Sequence, residues 1–297
     1  MKLCRFDADR LGVVVDGRIF DVTYALDALP RRSWPQPQTD ALIEHLDDVR
    51  ARISASPLPT TSRALGDVVL RSPVANPPKI VAAPVNYHAH VIESEADEEI
   101  HANRSVLKIG AAGLFLKAPS SLVGAGDGIT VHFPDRRTDH EVELAVIIGK
   151  QCKDVSEAAA LEVVAGYCIG LDITIRGSED RSFRKSLDSY TVLGPWITTA
   201  DEIVDPERLR LRLTVNGAPR QAANTSQLIF GVQKLIAWAS EWYTLHPGDV
   251  LLTGTPEGVG PIAGGDTIDA SIDCLGSMRV AVTANRSTTS GPIVAHR

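Results

Sequence analysis

The feature that most limits the folds open to this chain is the rhythm of its apolar residues beyond Pro78. Runs of strand length recur there, and stretches at helical spacing are few. Residues 80–85, 113–116, 141–148, 166–172, 209–215 and 249–252 are short apolar or alternating segments separated by Gly, Pro and Asn, as β-strands require. Helical spacing is confined to Leu228, Val232, Leu235, Ile236 and Ala239 within 226–241, and to a shorter segment that Ser156 caps, with Glu157 in its first turn, ending near Val164. Alternating βαβ units are excluded by this pattern. It predicts an α+β fold, mainly β with peripheral helices.

The N-terminal part follows the same logic on a smaller scale. Asp16-Gly17 joins two β-prone runs and tolerates the left-handed backbone of a two-residue hairpin, as Asn216-Gly217 does later. Leu42, Ile43, Leu46 and Val49 predict an amphipathic helix over 39–53, followed by a Ser/Pro/Thr connector at 54–62. Pro73, Pro77 and Pro78 cannot sit inside regular structure, because proline lacks the amide donor and restricts the residue before it. We therefore expect a small N-terminal domain, 1–75, and a larger domain, 76–297.

The net charge of −7, with no long Lys/Arg run, leaves no electrostatic footprint for nucleic acid or an anionic membrane surface. No apolar run approaches a membrane span, and residues 1–7 lack the apolar stretch of a secretory signal, so a cytoplasmic location is expected. Cys4, Cys152, Cys168 and Cys274 are scattered without a C-x-x-C pair. They are expected to be buried, reduced thiols rather than a zinc knuckle or a disulfide framework.

Chemistry concentrates in four segments. In 139–148, strict alternation puts Glu141, Glu143, Ala145 and Ile147 on one strand face. Alone, this is also what a half-exposed strand end looks like. Asp172, closing the run 166–171, offers a third acid, and three hard oxygen donors on adjacent strands suit Mg²⁺ or Mn²⁺ better than zinc. His90 and Glu93 stand at i and i+3 of a segment able to turn helical, so the carboxylate can orient the imidazole as a base, whereas His88 points off that face. A surface helix with an incidental charge pair fits equally. Arg176 and Lys185 supply cations for a carboxylate or an oxyanion, and 253–260 offers backbone amides and a hydroxyl.

Together and in order, 79–93 with its N-Y-x-x-H-x-x-E element, 115–121, 139–149, 166–176, 185–196, 224–240 and 247–260 resemble the fumarylacetoacetate hydrolase family. The resemblance implies a twisted β-roll preceded by a small β-containing domain and paired into a homodimer. It implies Glu141, Glu143 and Asp172 as ligands of Mg²⁺ or Mn²⁺, with Ca²⁺ as a substitute. His90 and Glu93 become the water-activating pair on a lid, and Lys185 faces the substrate's oxyanion. Thr255, Arg176, Gln227 and Tyr87 fall beside a small keto acid. The implied activity is hydrolysis of a carbon–carbon bond in an acylpyruvate or related β-dicarbonyl acid through a metal-bound enolate. Oxaloacetate decarboxylation, hydratase or isomerase chemistry, and a non-catalytic keto-acid-binding module are the alternatives. The chain departs from the family pattern at Pro84, Val85, His88, Leu171 and Glu179, which touches the lid entrance and substrate choice.

Overall fold

Alternation in 142–148 separates two hydrophobic cores rather than core from solvent. In the computed structural model, which describes residues 1–32, 34–101 and 105–285, the strand Val142–Ile148 is buried at every position. Val142, Leu144, Val146 and Ile148 pack with Leu235, Ile236 and Ala239 of the helix Val232–Trp242 and with Leu211 and Leu213 of a second sheet. Ala145 and Ile147 pack on the other side with Leu3, Ile43 and Val49. Each large aliphatic buried this way contributes about 1.5–3 kcal/mol, so the central strand is anchored from both faces.

The strand order explains how the chain curls around that centre. Val142–Ile148 lies between Val164–Asp172 and Val250–Leu252, both antiparallel to it. Ile80–Ala82 continues the sheet parallel to Val250–Leu252, with Phe115–Lys117 beyond it. A five-stranded sheet containing Arg210–Val215, Ala218–Asn224, Thr267–Ile272 and Gly276–Ala284 covers the first core. The architecture is mainly β with peripheral helices, the α+β class expected.

The N-terminal strands join this large sheet. Lys2–Phe6 pairs antiparallel with Thr191–Thr199, Leu3 opposite Ile197, so hydrogen bonding runs on across the 75/76 division. Asp40 adds a second tie: one carboxylate oxygen caps a helical turn at the Ile43 amide, 3.1 Å, and the other accepts from Ala75 and Asn76 at 2.8 and 2.9 Å.

Several local expectations change. The helix over 39–53 is two helices, Ala41–Glu44 and Leu46–Ser54, broken at His45, which lies outside helical angles. The segment after Ser156 is a 3₁₀ helix, Glu157–Val163, and the Ser156 side chain makes no cap bond. Both hairpin turns form, with positive φ at Asp16, Gly17, Asn216 and Gly217. All four cysteines are free thiols; Cys4 and Cys168 are buried, but Cys152 is half-buried and Cys274 exposed. No described helix is long and apolar enough to cross a membrane.

Candidate active site

Strand register brings the acids together. The Asp172 amide donates to the Glu141 carbonyl at 2.9 Å, so these residues sit opposite each other, and Glu143 lies opposite Gly170 on the same face. Two residues apart on one strand and directly across on the next, the three side chains converge. Ligand oxygens of Glu141, Glu143 and Asp172 all lie within 4.8 Å of one another, and all three residues are buried.

The surrounding cations are shared unequally. Lys185 Nζ donates to Glu141 Oε2 and Asp172 Oδ2, both at 2.6 Å. Lys117, fully buried, donates to Asp172 and, at 2.7 Å, to the Tyr190 carbonyl. Arg176 binds Glu141 at 2.9 Å and the buried Asp139 at 2.7 Å. Glu143 has no ion pair among the described residues and accepts from the Gly254 amide at 2.7 Å.

That inequality sets the proton affinities. Burial alone would raise the Glu141 carboxyl, but Lys185, Arg176 and His90 outweigh it and hold its pKa far below the usual range. Burial raises Glu143 well above its ordinary value; the charges of Asp172 and Glu141 add to the effect, and Lys185 and the Gly254 amide offset it only in part. A buried all-oxygen cluster with one uncompensated carboxylate fits a hard divalent cation, whose charge would remove that imbalance.

The helix His88–Ala96 carries the second constellation. His90 Nδ1 lies 2.8 Å from Glu93 Oε2, and Glu93 Oε1 accepts from the Gly258 amide at 2.8 Å. The helix is fastened at its start: Asn86 Nδ2 donates to the Phe230 and Thr253 carbonyls, and its Oδ1 accepts from the Phe230 amide. Just before it, Val85 takes φ 43°, a left-handed conformation that costs a β-branched residue energy and re-aims the chain at the pocket edge. Gly254 and Gly258 are needed as glycines. Both have positive φ, and a Cβ would lie 2.7 Å from the Asn86 Cβ in the first case and 2.0 Å from the Arg220 carbonyl oxygen in the second. The amides expected to face an anion thus serve the protein's own Glu143 and Glu93.

A cavity of about 240 Å³ opens onto this machinery, lined among others by His90, Glu141, Glu143, Arg176, Lys185 and Thr255. Ser94, Ile100 and residues 105–107 form part of its wall; 102–104 lie outside the described residues.

The remaining expected residues are placed differently. Tyr87 is buried outside the cavity wall, its hydroxyl without a hydrogen-bond partner among the described residues. Gln227 is exposed and occupied in a capping box, accepting from the Asn224 amide at 2.8 Å, so the structure puts it in a turn rather than beside the pocket. The glutamine next to the site is Gln221, which accepts from the Val142 amide at 3.0 Å and donates to Thr255 Oγ1 at 2.8 Å. Arg176 lines the cavity, but its bonds position Glu141 and Asp139. Sequence reasoning missed roles for Lys117, Gln221, Asn86 and Asp139; the available signals were the isolated polar residue in an apolar strand at Lys117 and the place of Asn86 at the head of the N-Y-x-x-H-x-x-E element.

A buried carboxylate centre open to a small pocket, on a β-roll, defines a divalent-metal-dependent enzyme. The comparisons with known proteins narrow the class. Residues 79–283 match the family described as Fumarylacetoacetate (FAA) hydrolase C-terminal, and the chain belongs to that family. A maleylpyruvate hydrolase of Aquipseudomonas alcaligenes is 54% identical over 286 residues, 95% of this chain and 99% of its own length. The crystal structure of maleylpyruvate hydrolase from Sphingobium sp. SYK-6 in complex with manganese (II) ion and pyruvate is 42% identical, with a TM-score of 0.80, over 96% of this chain and 100% of that one. The 5-carboxymethyl-2-hydroxymuconate delta-isomerase of Mycobacterium smegmatis is 30% identical, with a TM-score of 0.69, over the same shares.

Proposed function

We propose that this enzyme hydrolyses the carbon–carbon bond between the two carbonyl carbons' shared methylene and the distal carbonyl of an acylpyruvate, releasing pyruvate and a carboxylic acid. The observation that carries this reading is that one cavity is lined at once by Glu141, Glu143 and His90. The names of the two hydrolase relatives, one of them seen with manganese and pyruvate, support it.

Glu141, Glu143 and Asp172 would hold the cation. When bound, Mg²⁺ or Mn²⁺ there supplies Lewis acidity toward the 2-oxo acid and helps to carry enolate charge. His90 does the proton work: with Nδ1 turned to Glu93, Nε2 is left to accept a proton from water as its oxygen attacks the distal carbonyl. Cleavage leaves the electron pair on the pyruvate fragment, which is then protonated. Glu93, fixed by Gly258, stabilises the imidazolium formed on the way. Lys185 lies in the cavity wall beside the developing negative charge. Thr255 lines the cavity, but its hydroxyl accepts from Gln221 at 2.8 Å and donates to the Val142 carbonyl at 2.9 Å, so contact with the substrate carboxylate requires that it exchange the second bond.

In the same reading the enzyme works in the cytosol as a homodimer on a small keto acid. The test is pyruvate release from an acylpyruvate by the purified protein with Mn²⁺, run beside oxaloacetate and a hydroxymuconate. Metal-dependent pyruvate release from the acylpyruvate is expected, and turnover confined to decarboxylation or isomerisation would overturn it. Light scattering checks the dimer.

A further inference from the structure

The helix that carries His90 is held at its start by Asn86 and midway by Glu93, and its far end is held by charge. Asp97 closes that end, its amide donating to the Glu93 carbonyl at 3.0 Å. It then turns the chain into the short helix Glu98–His101, Oδ1 accepting from the Glu99 amide at 2.9 Å. Ser94 and Ile100, on either side of this turn, both line the cavity. Asp97 Oδ2 is left for Arg137, whose Nη1 donates to it at 2.9 Å and to Glu99 Oε2 at 2.7 Å.

Partly exposed pairs of this kind usually hold little, because two long side chains must give up their freedom to meet. Arg137 differs in being held from behind. Its Nε donates to Oδ1 of the fully buried Asp139 at 2.8 Å, and its carbonyl accepts from the Arg176 amide at 2.8 Å. Arg176 donates to the other oxygen of Asp139 at 2.7 Å and to Glu141 at 2.9 Å. Charges of alternating sign therefore run from the helix end, through Arg137, Asp139 and Arg176, into the carboxylate cluster. Asp139 uses both oxygens in this chain, so neither arginine can swing away without leaving a buried carboxylate half compensated. Burial favours the uncharged form of Asp97, but Arg137 outweighs it and keeps the carboxyl below its ordinary range.

We infer that Arg137 is a positioning residue for His90: it fixes the end of the helix His88–Ala96 relative to Glu141, and so sets where the imidazole stands with respect to the carboxylates. The inference rests on the reading of His90 as the general base.

Two variants test it from different points of the chain of charges. Asp97→Asn/Glu99→Gln neutralises the exposed end and leaves Asp139 with both arginines, whereas Arg137→Met cuts the middle. Each is expected to lower kcat for an acylpyruvate by roughly 10- to 100-fold, the cost of a catalytic group displaced by about 1 Å, with KM and calorimetric Mn²⁺ affinity within a few-fold of wild type. All the substitutions together should be no worse than Arg137→Met alone, and Arg137→Lys, which keeps the charge without the fork, should recover part of the rate. In a His90→Ala background neither variant should lower the residual rate further, since the group they position is gone. An unchanged kcat in Asp97→Asn/Glu99→Gln, or a loss that persists in the His90→Ala background, overturns the inference. If Arg137→Met folds poorly, Asp97→Asn/Glu99→Gln decides alone. Amide hydrogen exchange separates this from the hydrolase reading: Glu99 and Ile100, whose amides are bonded to Asp97, should exchange several-fold faster in both variants. A wild type that turns over no acylpyruvate sinks the hydrolase reading, and faster exchange then still supports the hold of Arg137 on the helix end. Turnover with exchange unchanged in both variants sinks the inference and leaves the hydrolase reading standing.

Discussion

Glu93 holds His90 with one carboxylate oxygen, 2.8 Å from Nδ1, and the glycine-rich loop with the other, 2.8 Å from the Gly258 amide. The helix His88–Ala96 is thereby fastened to the loop that also supports Glu143 through Gly254, so His90, Glu93 and the carboxylate cluster share one scaffold.

Removing the base should separate chemistry from metal binding. His90→Ala is expected to lower kcat by about 10²–10⁴-fold, the usual contribution of a positioned general base, with Mn²⁺ affinity nearly unchanged. Glu93→Gln should be similarly severe, since with its oxygen on the Gly258 amide its NH₂ faces Nδ1 and holds the tautomer whose Nε2 already carries a proton. Steady-state kinetics beside calorimetric Mn²⁺ titrations check this, and full activity in His90→Ala refutes the assignment.

Glu143 predicts a pH-dependent trade between apo stability and metal binding. Its pKa in the folded chain lies above 4.5, the ordinary value, so the folded state binds more protons there than the unfolded state does. Its contribution is therefore fully present below 4.5 and is lost as pH rises through the raised value. In chelator, Glu143→Gln should melt higher than wild type, by a margin that widens as pH rises from 4.5 toward neutrality, while the stabilisation given by Mn²⁺ shrinks. Melting curves with and without Mn²⁺ measure both. A margin that narrows with rising pH contradicts the account.

Lys117→Met should be severe. It strips the buried Asp172 of one of its two ammonium partners, and breaking a buried pair from one side costs about 3–5 kcal/mol. Part of the loss should return with Mn²⁺, which would supply positive charge to the same carboxylates. Urea unfolding with and without the metal reads this directly, and equal deficits in both conditions count against it.

The two glutamines should behave oppositely. Gln227→Ala removes a cap on a one-turn helix and is expected to cost under about 1 kcal/mol with activity intact. Gln221→Ala removes one of the two bonds that hold the Thr255 hydroxyl and leaves the Val142 amide unpaired inside the core, so both stability and KM should suffer. Kinetics and melting of the pair decide; matching phenotypes would show that Gln221 does not organise the site.

Much of the architecture was legible because periodicity and turn chemistry are local. The alternation of 142–148, the Asp16-Gly17 and Asn216-Gly217 turns and the stripe from Val232 to Ala239 are each contained in a few consecutive residues. The break at His45 was not legible, since nothing in the apolar spacing of 39–53 opposes a continuous helix and the Asp40 cap is also committed to residues 75 and 76. Two-sided burial of the central strand also escaped the reading, because alternation records which residues share a face and not what packs against it.

The sequence by itself determined the strand-rich class, the three acids and the His–Glu spacing, since these follow from residue type and short-range geometry. Only the tertiary structure decided their environment: Lys117 reaches Asp172 from 55 residues away, Gln221 reaches Val142 from 79, and Gln227 turns out to serve its own turn. Charge compensation and hydrogen-bond satisfaction are contests between distant groups for the same buried space, and their outcome exists only once the sheets have closed.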